Sequence, residues 1–137
     1  METIKIKDWN DLPENYSGIF ECCNGDTGYC LNGKLHREDG PAITYPNSRK
    51  EYFINGKLHR EDGPAIITSF GNRFYYVNGK LHIEDGPAII RKNRIIYYLN
   101  GNDIIEEINE WIIENKIPKN HRKWNNSHKI LFKLTFG

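Results

Sequence analysis

The stretch Asn55-Gly56-Lys57-Leu58-His59-Arg60-Glu61-Asp62-Gly63-Pro64-Ala65 decides the fold, because close copies of it stand on either side at a regular interval. Its Asn-Gly pair recurs with spacings of 23, 23 and 22 residues, at Asn32-Gly33, Asn55-Gly56, Asn78-Gly79 and Asn100-Gly101. A regular period of this length in a chain of 137 residues indicates a repeat architecture.

Each Asn-Gly pair predicts a tight β-hairpin turn, because a two-residue type I′ turn requires positive φ at both central positions. Before each pair, an aromatic residue three back and an aliphatic residue one back share one face of a strand of period two. After each pair, Glu-Asp-Gly-Pro predicts a bend, because proline lacks the N–H that a central strand donates. Ala-Ile then begins a second strand, which ends at turn signals such as Asn47-Ser48 and Gly71-Asn72.

These signals predict a mainly β fold with three regions. Residues 18–101 are expected to form a repetitive antiparallel β-hairpin array, a single-layer twisted sheet with a period of about 23 residues. Residues 1–17 are expected to form an N-terminal lead-in or cap, with a strand around Ile4 and Ile6. Residues 102–137 are expected to form a helical C-terminal cap with a basic tail.

The helical cap is predicted from a change of the apolar period from two to 3.6. Asp103 and Glu106 resemble a capping box, and Pro118 is expected to stop the helix. A second helix or strand, from about Ser127 to Leu134, is too apolar to remain solvated, so it should dock on the array with the first helix. The first helical stripe consists of Ile104, Ile105, Ile108, Trp111 and Ile112.

The composition argues against several classes of protein. Lysine and arginine number 19 against 18 acidic residues, so the chain as a whole has no excess positive charge that would attract nucleic acid or an anionic membrane. No apolar run approaches the ~20 residues that span a bilayer, and the first residues do not follow the order of a signal peptide. A soluble, intracellular protein is therefore expected.

Cys22, Cys23 and Cys30 lack the spacing of a zinc or disulfide framework and are expected to be free thiols.

The segment Tyr52-Phe53-Ile54-Asn55-Gly56-Lys57-Leu58-His59 resembles the hairpin core of the MORN (membrane occupation and recognition nexus) repeat family. The resemblance covers about Gly18 to Gly101, and Arg60-Glu61-Asp62-Gly63-Pro64 replaces the family's later glycine-x-glycine. The full sequence of the repeat also resembles that of uncharacterised repeat proteins of large DNA viruses and phages. The resemblance implies a protein-interaction or assembly scaffold, with lipid binding implied less directly, and a host-cytoplasmic location if the source is viral.

A His-x-Glu-Asp pattern offers candidate ligands for a small molecule or a divalent metal, since imidazole and carboxylate are zinc ligands. Metal ligands converge within about 2 Å of one point, whereas equivalent residues on neighbouring hairpins lie at least one strand spacing, ~4.8 Å, apart. A structural role is therefore favoured, in which the aspartate accepts turn N–H groups and the glutamate pairs with a nearby cation. No cofactor or bound metal is expected. The three copies are His36, Glu38 and Asp39; His59, Glu61 and Asp62; and His82, Glu84 and Asp85.

A binding face is predicted for the side of the sheet opposite the aromatic-and-aliphatic row. Phe53, Tyr76 and Tyr98 are expected to line it, with Arg37 and Arg60 at its rim, and to contact a partner protein or a second copy. The serines lie outside any nucleophile-elbow motif and no glycine-rich phosphate loop is present, so catalysis is not expected.

The C-terminal tail is basic and has no acidic residue after Glu114. We expect it to neutralise the acidic first helix within the domain, with weak nucleic-acid binding as the alternative. The favoured function is thus a non-enzymatic binding or scaffold module, acting in host interaction or assembly if viral. The tail residues are Lys116, Lys119, Arg122, Lys123, Lys129 and Lys133, and the helix carries Asp103, Glu106, Glu107, Glu110 and Glu114.

Overall fold

The computed structural model describes residues 2–82, 86–92 and 94–136. Within these residues the chain forms sixteen short strands and two α-helices, with both helices at the C-terminal end. The mainly β prediction, a hairpin array followed by a helical segment, is confirmed. The strands are β1 Thr3–Ile6, β2 Gly18–Cys22, β3 Thr27–Leu31, β4 Lys34–Leu35, β5 Ile43–Thr44, β6 Lys50–Glu51, β7 Phe53–Ile54, β8 Lys57–Leu58, β9 Ile66–Ile67, β10 Arg73–Phe74, β11 Tyr76–Val77, β12 Lys80–Leu81, β13 Ile89–Arg91, β14 Arg94–Ile96, β15 Tyr98–Leu99 and β16 Asn102–Asp103.

One ten-stranded sheet runs through the described part of the array in the order β1-β2-β3-β5-β6-β9-β10-β13-β14, with β4 paired to β3. Strand β1 pairs with β2 in parallel, and the other described strand pairs are antiparallel. Three further hairpins pair only within themselves: β7 with β8, β11 with β12, and β15 with β16.

The strand that leads into each Asn-Gly turn changes partners at its tyrosine. In the middle repeat, β6 pairs with β5 and β9, whereas β7 pairs with β8. Between them, the Tyr52 N–H donates to the Ala65 carbonyl at 2.7 Å, and the Tyr52 carbonyl accepts from the His59 N–H at 3.0 Å. From β5 onward, each repeat therefore contributes two strands to the large sheet and one separate hairpin beside it.

The Asn-Gly turns have the backbone conformation that the sequence predicts. In the middle copy, φ is +50° at Asn55 and +77° at Gly56. The other three pairs repeat this within a few degrees, with both residues in the left-handed region. The type I′ interpretation of the repeat is thus supported at all four positions.

The N-terminal segment holds the first hairpin in the way that each repeat holds the next. The Gly56 N–H donates to the Leu35 carbonyl at 2.8 Å, and the Asn55 N–H donates to His36 Nδ1 at 3.0 Å. One repeat earlier, the same two donors are satisfied by the Tyr16 carbonyl at 2.8 Å and by Ser17 Oγ at 2.9 Å. Tyr16-Ser17 therefore takes the place of a Leu-His pair and caps the array.

The C-terminal cap contains α1 (Ile105–Glu114) and α2 (Asn126–Phe136). The expected capping box is not formed: Asp103 Oδ1 accepts the Ile105 N–H at 2.9 Å, and Ile104 occupies the N-cap position. Helix α1 ends at Glu114, where Lys116 adopts a left-handed φ of +53°, before Pro118 is reached. Within the described residues, no helix combines the length and the apolar character that crossing a membrane requires.

One aromatic core joins the cap to the last hairpin. Tyr97 of the array stacks on Trp124 with ring centroids 6.0 Å apart, and Trp111 meets Phe132 edge-on at 5.6 Å. This cluster buries the end of the array, where a further repeat would otherwise pair. Its buried members are Tyr97, Ile104, Ile108, Trp111, Ile112, Ile117, Trp124 and Phe132.

The last segment docks on the array with the first helix, as expected, but its apolar residues are only partly covered. Phe132 is fully buried, but Ile130 is 60% exposed and Leu134 is 79% exposed. At 3.6 residues per turn, positions two before and two after Phe132 lie on the opposite side of the helix. Helix α2 therefore carries an apolar stripe that faces away from the core.

Candidate functional site

The repeated histidine accepts a hydrogen bond from the turn of the following hairpin. His59 Nδ1 accepts from the Asn78 N–H at 3.0 Å, and His36 and His82 do the same toward Asn55 and Asn100. Because Nδ1 acts as the acceptor, the neutral ring carries its proton on Nε2. That nitrogen lies 3.6 Å from Glu61 Oε1 in the middle repeat. The histidines thus serve as links between hairpins.

This arrangement leaves little metal-binding capacity in the His-x-Glu-Asp pattern. One nitrogen of each imidazole is already engaged with a backbone donor, and Asp39 faces Arg37. In the described part of the chain, no group of three or more histidine, cysteine or acidic side chains could hold a metal ion. Glu84 and Asp85, the acids of the third copy, lie outside the described residues.

The arginines of the first two copies, Arg37 and Arg60, each pack against a tyrosine. The Arg37 guanidinium lies 4.1 Å from the centroid of the Tyr29 ring, donates from Nε to Asp39 Oδ1 at 2.8 Å and reaches the Pro41 carbonyl at 3.3 Å. The Arg37 hydrogen bond and charge hold the pKa of the Asp39 carboxyl below its usual range. Arg60 repeats the set on Tyr52, Asp62 and Pro64, at 4.0, 3.0 and 3.2 Å.

Each of these guanidinium groups lies over a glycine. A Cβ added to Gly63 would come 2.9 Å from Arg60 Cζ, and Gly40 has the same relationship to Arg37. The third copy has Ile83 in place of the arginine, a position outside the described residues. There, His121 of the cap lies over Gly86 instead. The cap thus fills, at the end of the array, the space that an arginine fills in the earlier repeats.

Two neighbouring open clefts lie along this side of the array. The first has a volume of about 630 Å³ and is lined by residues 37–40 and 60–62 together with Tyr52, Ile54 and His59. The second, of about 680 Å³, is lined by residues 60–63 with Tyr75, Val77 and His82, and by His121, Lys129 and Lys133 of the cap. The loop 60–62 is common to both. Tyr52, Ile54 and His59 of the first cleft correspond, 23 positions later, to Tyr75, Val77 and His82 of the second.

The structure separates the residues of the predicted binding face. Phe53, Tyr76 and Tyr98 are half-buried, pair across their hairpins and line neither cleft. Arg37 and Arg60 line the clefts, although their backbone N–H groups bond to the Phe53 and Tyr76 carbonyls at 3.1 and 3.0 Å. The cleft residues Tyr52 and Ile54 belong instead to the aromatic-and-aliphatic row, which lies on the strand face opposite the predicted binding face.

The expected pairing of the basic tail with helix α1 is not formed. Among the described residues, none of the α1 glutamates lies within ion-pair distance of a basic side chain. Lys129 and Lys133 line the second cleft, whereas the remaining tail cations lie exposed in the connection between α1 and α2. Those exposed cations are Lys116, Lys119, Arg122 and Lys123.

The three cysteines are free, as expected, and they differ in exposure. Cys22 and Cys30 are buried, whereas Cys23 is exposed. Burial raises the pKa of the Cys30 thiol, which disfavours the nucleophilic thiolate. These two buried thiols thus behave as core residues of the first strands.

Comparison of the chain with protein-family models, curated proteins and solved structures finds no match. A functional assignment therefore has to come from the site itself.

Proposed function

We propose that this chain is a non-enzymatic binding module that holds an extended segment of a partner protein along its two neighbouring clefts. The observation that carries this proposal is a repeated lining: an Arg-Glu-Asp-Gly loop with a tyrosine, an aliphatic residue and a histidine lines each cleft, displaced by one repeat, and cap residues complete the second cleft. A surface that repeats its chemistry along an axis suits a ligand that also repeats along its length. The resemblance to viral and phage repeat proteins is in keeping with a role in host interaction or assembly.

The geometry of the repeat limits the spacing of such a ligand. Each repeat adds two strands to the large sheet, so neighbouring clefts should lie about two strand spacings, roughly 10 Å, apart. An extended peptide advances ~3.3 Å per residue, so three of its residues span about the same distance. We expect ligand side chains at positions i and i+3 to meet equivalent residues of neighbouring repeats, such as Glu38 and Glu61, which both line the first cleft.

The charges of the first cleft favour a basic ligand. Arg37 and Arg60 are each neutralised by an aspartate of their own loop, at 2.8 and 3.0 Å. Glu38 and Glu61 remain largely exposed, with side chains 84% and 83% accessible, and their carboxylates lie 3.7 and 3.6 Å from Nε2 of His36 and His59. Lysine or arginine side chains with apolar stems could contact these carboxylates while packing on Tyr52 and Ile54.

A panel of labelled extended peptides tests this proposal by fluorescence anisotropy. Peptides with two lysines at i and i+3 should bind the protein at least about tenfold more tightly than peptides spaced i and i+2 or i and i+4. The double variant Glu38→Gln/Glu61→Gln should lose that preference, whereas Glu107→Gln/Glu110→Gln on α1 should retain it. Equal binding of all spacings, or an undiminished preference in the cleft variant, would refute the proposal.

A further inference from the structure

The cap presents an apolar stripe on the side of α2 that faces away from the aromatic core. Ile130, Leu131 and Leu134 are 60, 37 and 79% exposed, whereas Phe132 between them is fully buried. None of these three residues lines the clefts, although Lys129 and Lys133 of the same helix line the second one. Three exposed aliphatic side chains on adjacent turns of one helix are typical of a contact surface.

The exposed surface of α1 is acidic and also contains an apolar residue. Ile113 is 72% exposed and lies among glutamates that are exposed as well. These carboxylates have no ion-pair partner among the described residues. The four glutamates are Glu106, Glu107, Glu110 and Glu114.

An equal number of exposed cations stands in the connection between the helices. Lys116, Lys119, Arg122 and Lys123 are all exposed and have no ion-pair partner among the residues that the structure describes. Four carboxylates and four cations, all within residues 106–123, therefore remain unpaired with one another inside the chain.

We infer that the cap is a self-association surface, and that its occupant is the cap of a second copy of this chain. In a two-fold dimer, a patch on one copy meets a patch on the other, and the reciprocal contact forms at the same time. The acidic face of α1 can then meet the basic connection of the partner twice, with the aliphatic stripes of α2 covered between them.

The charge pattern favours a second copy over the other partners that an apolar, charged helix could attract. An anionic lipid surface would attract the connection but would be repelled by the four glutamates of α1, and a basic partner would be repelled by the connection. A second copy provides the four cations of its connection for the four carboxylates of α1, and the reverse. The first cleft is lined by residues of the array alone, so this inference does not depend on what that cleft binds.

The oligomeric state tests the inference, measured by sedimentation equilibrium from about 1 µM to several hundred µM. The wild-type chain should approach twice its monomer mass, and Ile130→Asp/Leu134→Asp should raise the dimer dissociation constant at least about tenfold. The control is Phe70→Asp, which replaces with one aspartate an apolar side chain that is 92% exposed in the array. Circular dichroism of each variant establishes that it is folded.

A charge-swap pair tests the pairing across copies. Glu107→Lys/Glu110→Lys/Glu114→Lys and Lys119→Glu/Arg122→Glu/Lys123→Glu should each be monomeric alone, and an equimolar mixture of the two should dimerise. A wild-type chain that stays monomeric throughout the range would overturn the inference, even if it sediments with phosphatidylserine vesicles. Dimers that survive Ile130→Asp/Leu134→Asp, or mixed variants that fail to associate, would overturn it as well.

Discussion

The imidazole of His59 accepts, through Nδ1, the backbone N–H of Asn78 at 3.0 Å. Asn78 has a φ of +51° and opens the tight turn of the next hairpin, where its N–H has no strand partner. Together with the bond from the Gly79 N–H to the Leu58 carbonyl at 2.8 Å, this contact joins one hairpin to the next. The most conspicuous polar residue of the repeat is therefore explained by the stacking of the repeats.

Replacing His59 with alanine should lower the free energy of unfolding by about 1–2 kcal/mol, because the Asn78 N–H loses its acceptor. His59→Asn should recover most of that loss, since the asparagine Oδ1 can occupy the place of Nδ1. Urea unfolding followed by circular dichroism measures both. Equal destabilisation by alanine and asparagine would show that the ring contributes through packing alone.

Gly63→Ala should destabilise the array through Arg60. The added Cβ would lie 2.9 Å from Arg60 Cζ, so the guanidinium would have to leave the Tyr52 ring and Asp62. A cation–π contact of this kind contributes about 0.5–2 kcal/mol. In an Arg60→Ala background the same glycine substitution should have a much smaller effect, a non-additivity that a double-mutant cycle with urea unfolding measures directly. Additive effects would contradict this assignment.

The array could be predicted from the sequence because its signals are local. Asn-Gly turns and the 23-residue period depend on backbone conformations that neighbouring residues impose, and both are present in the structure. The change of strand partners at Tyr52 was not predictable in the same way. It depends on Ala65, thirteen positions later, whose carbonyl pairs with the Tyr52 N–H.

Less of the candidate site than of the fold could be predicted from the sequence. The sequence predicts that Tyr52 and Ile54 share one strand face. It does not predict whether that face is buried or exposed, because this depends on where the separate hairpins lie beside the sheet. The role of His121 could not be anticipated, because it lies 35 positions after Gly86 and belongs to no repeat. The exposed stripe on α2 could not be predicted, because a high apolar content does not indicate which side of a helix packs against the core.

Thiol labelling should distinguish the three cysteines in the folded protein. Cys23 is exposed and should react rapidly with a maleimide at neutral pH, whereas Cys22 and Cys30 are buried and should react only when the first strands open. Mass spectrometry of digested samples assigns each label. Cys23→Ser should remove the fast phase, and all three thiols should react in denaturant. Rapid labelling of Cys30 in the native state would contradict its place in the core.

Tyr97→Phe should stabilise the protein and flatten its alkaline pH dependence. The Tyr97 hydroxyl is buried without a hydrogen-bond partner in the described chain, so its removal should add about 1 kcal/mol or more. Burial raises the pKa of Tyr97 to about 12 from its ordinary 10.0, so the folded state holds this proton more tightly than the unfolded state. Titration of Tyr97 therefore does not lower the free energy of unfolding below pH 10. It lowers that free energy progressively as the pH rises toward 12, because the unfolded state releases the proton at a lower pH than the folded state. Urea unfolding at pH 7 and at pH 10.5 measures this slope, with the half-buried neighbour Tyr98→Phe as the control that should retain it. An unchanged slope in Tyr97→Phe would assign the alkaline instability to other groups.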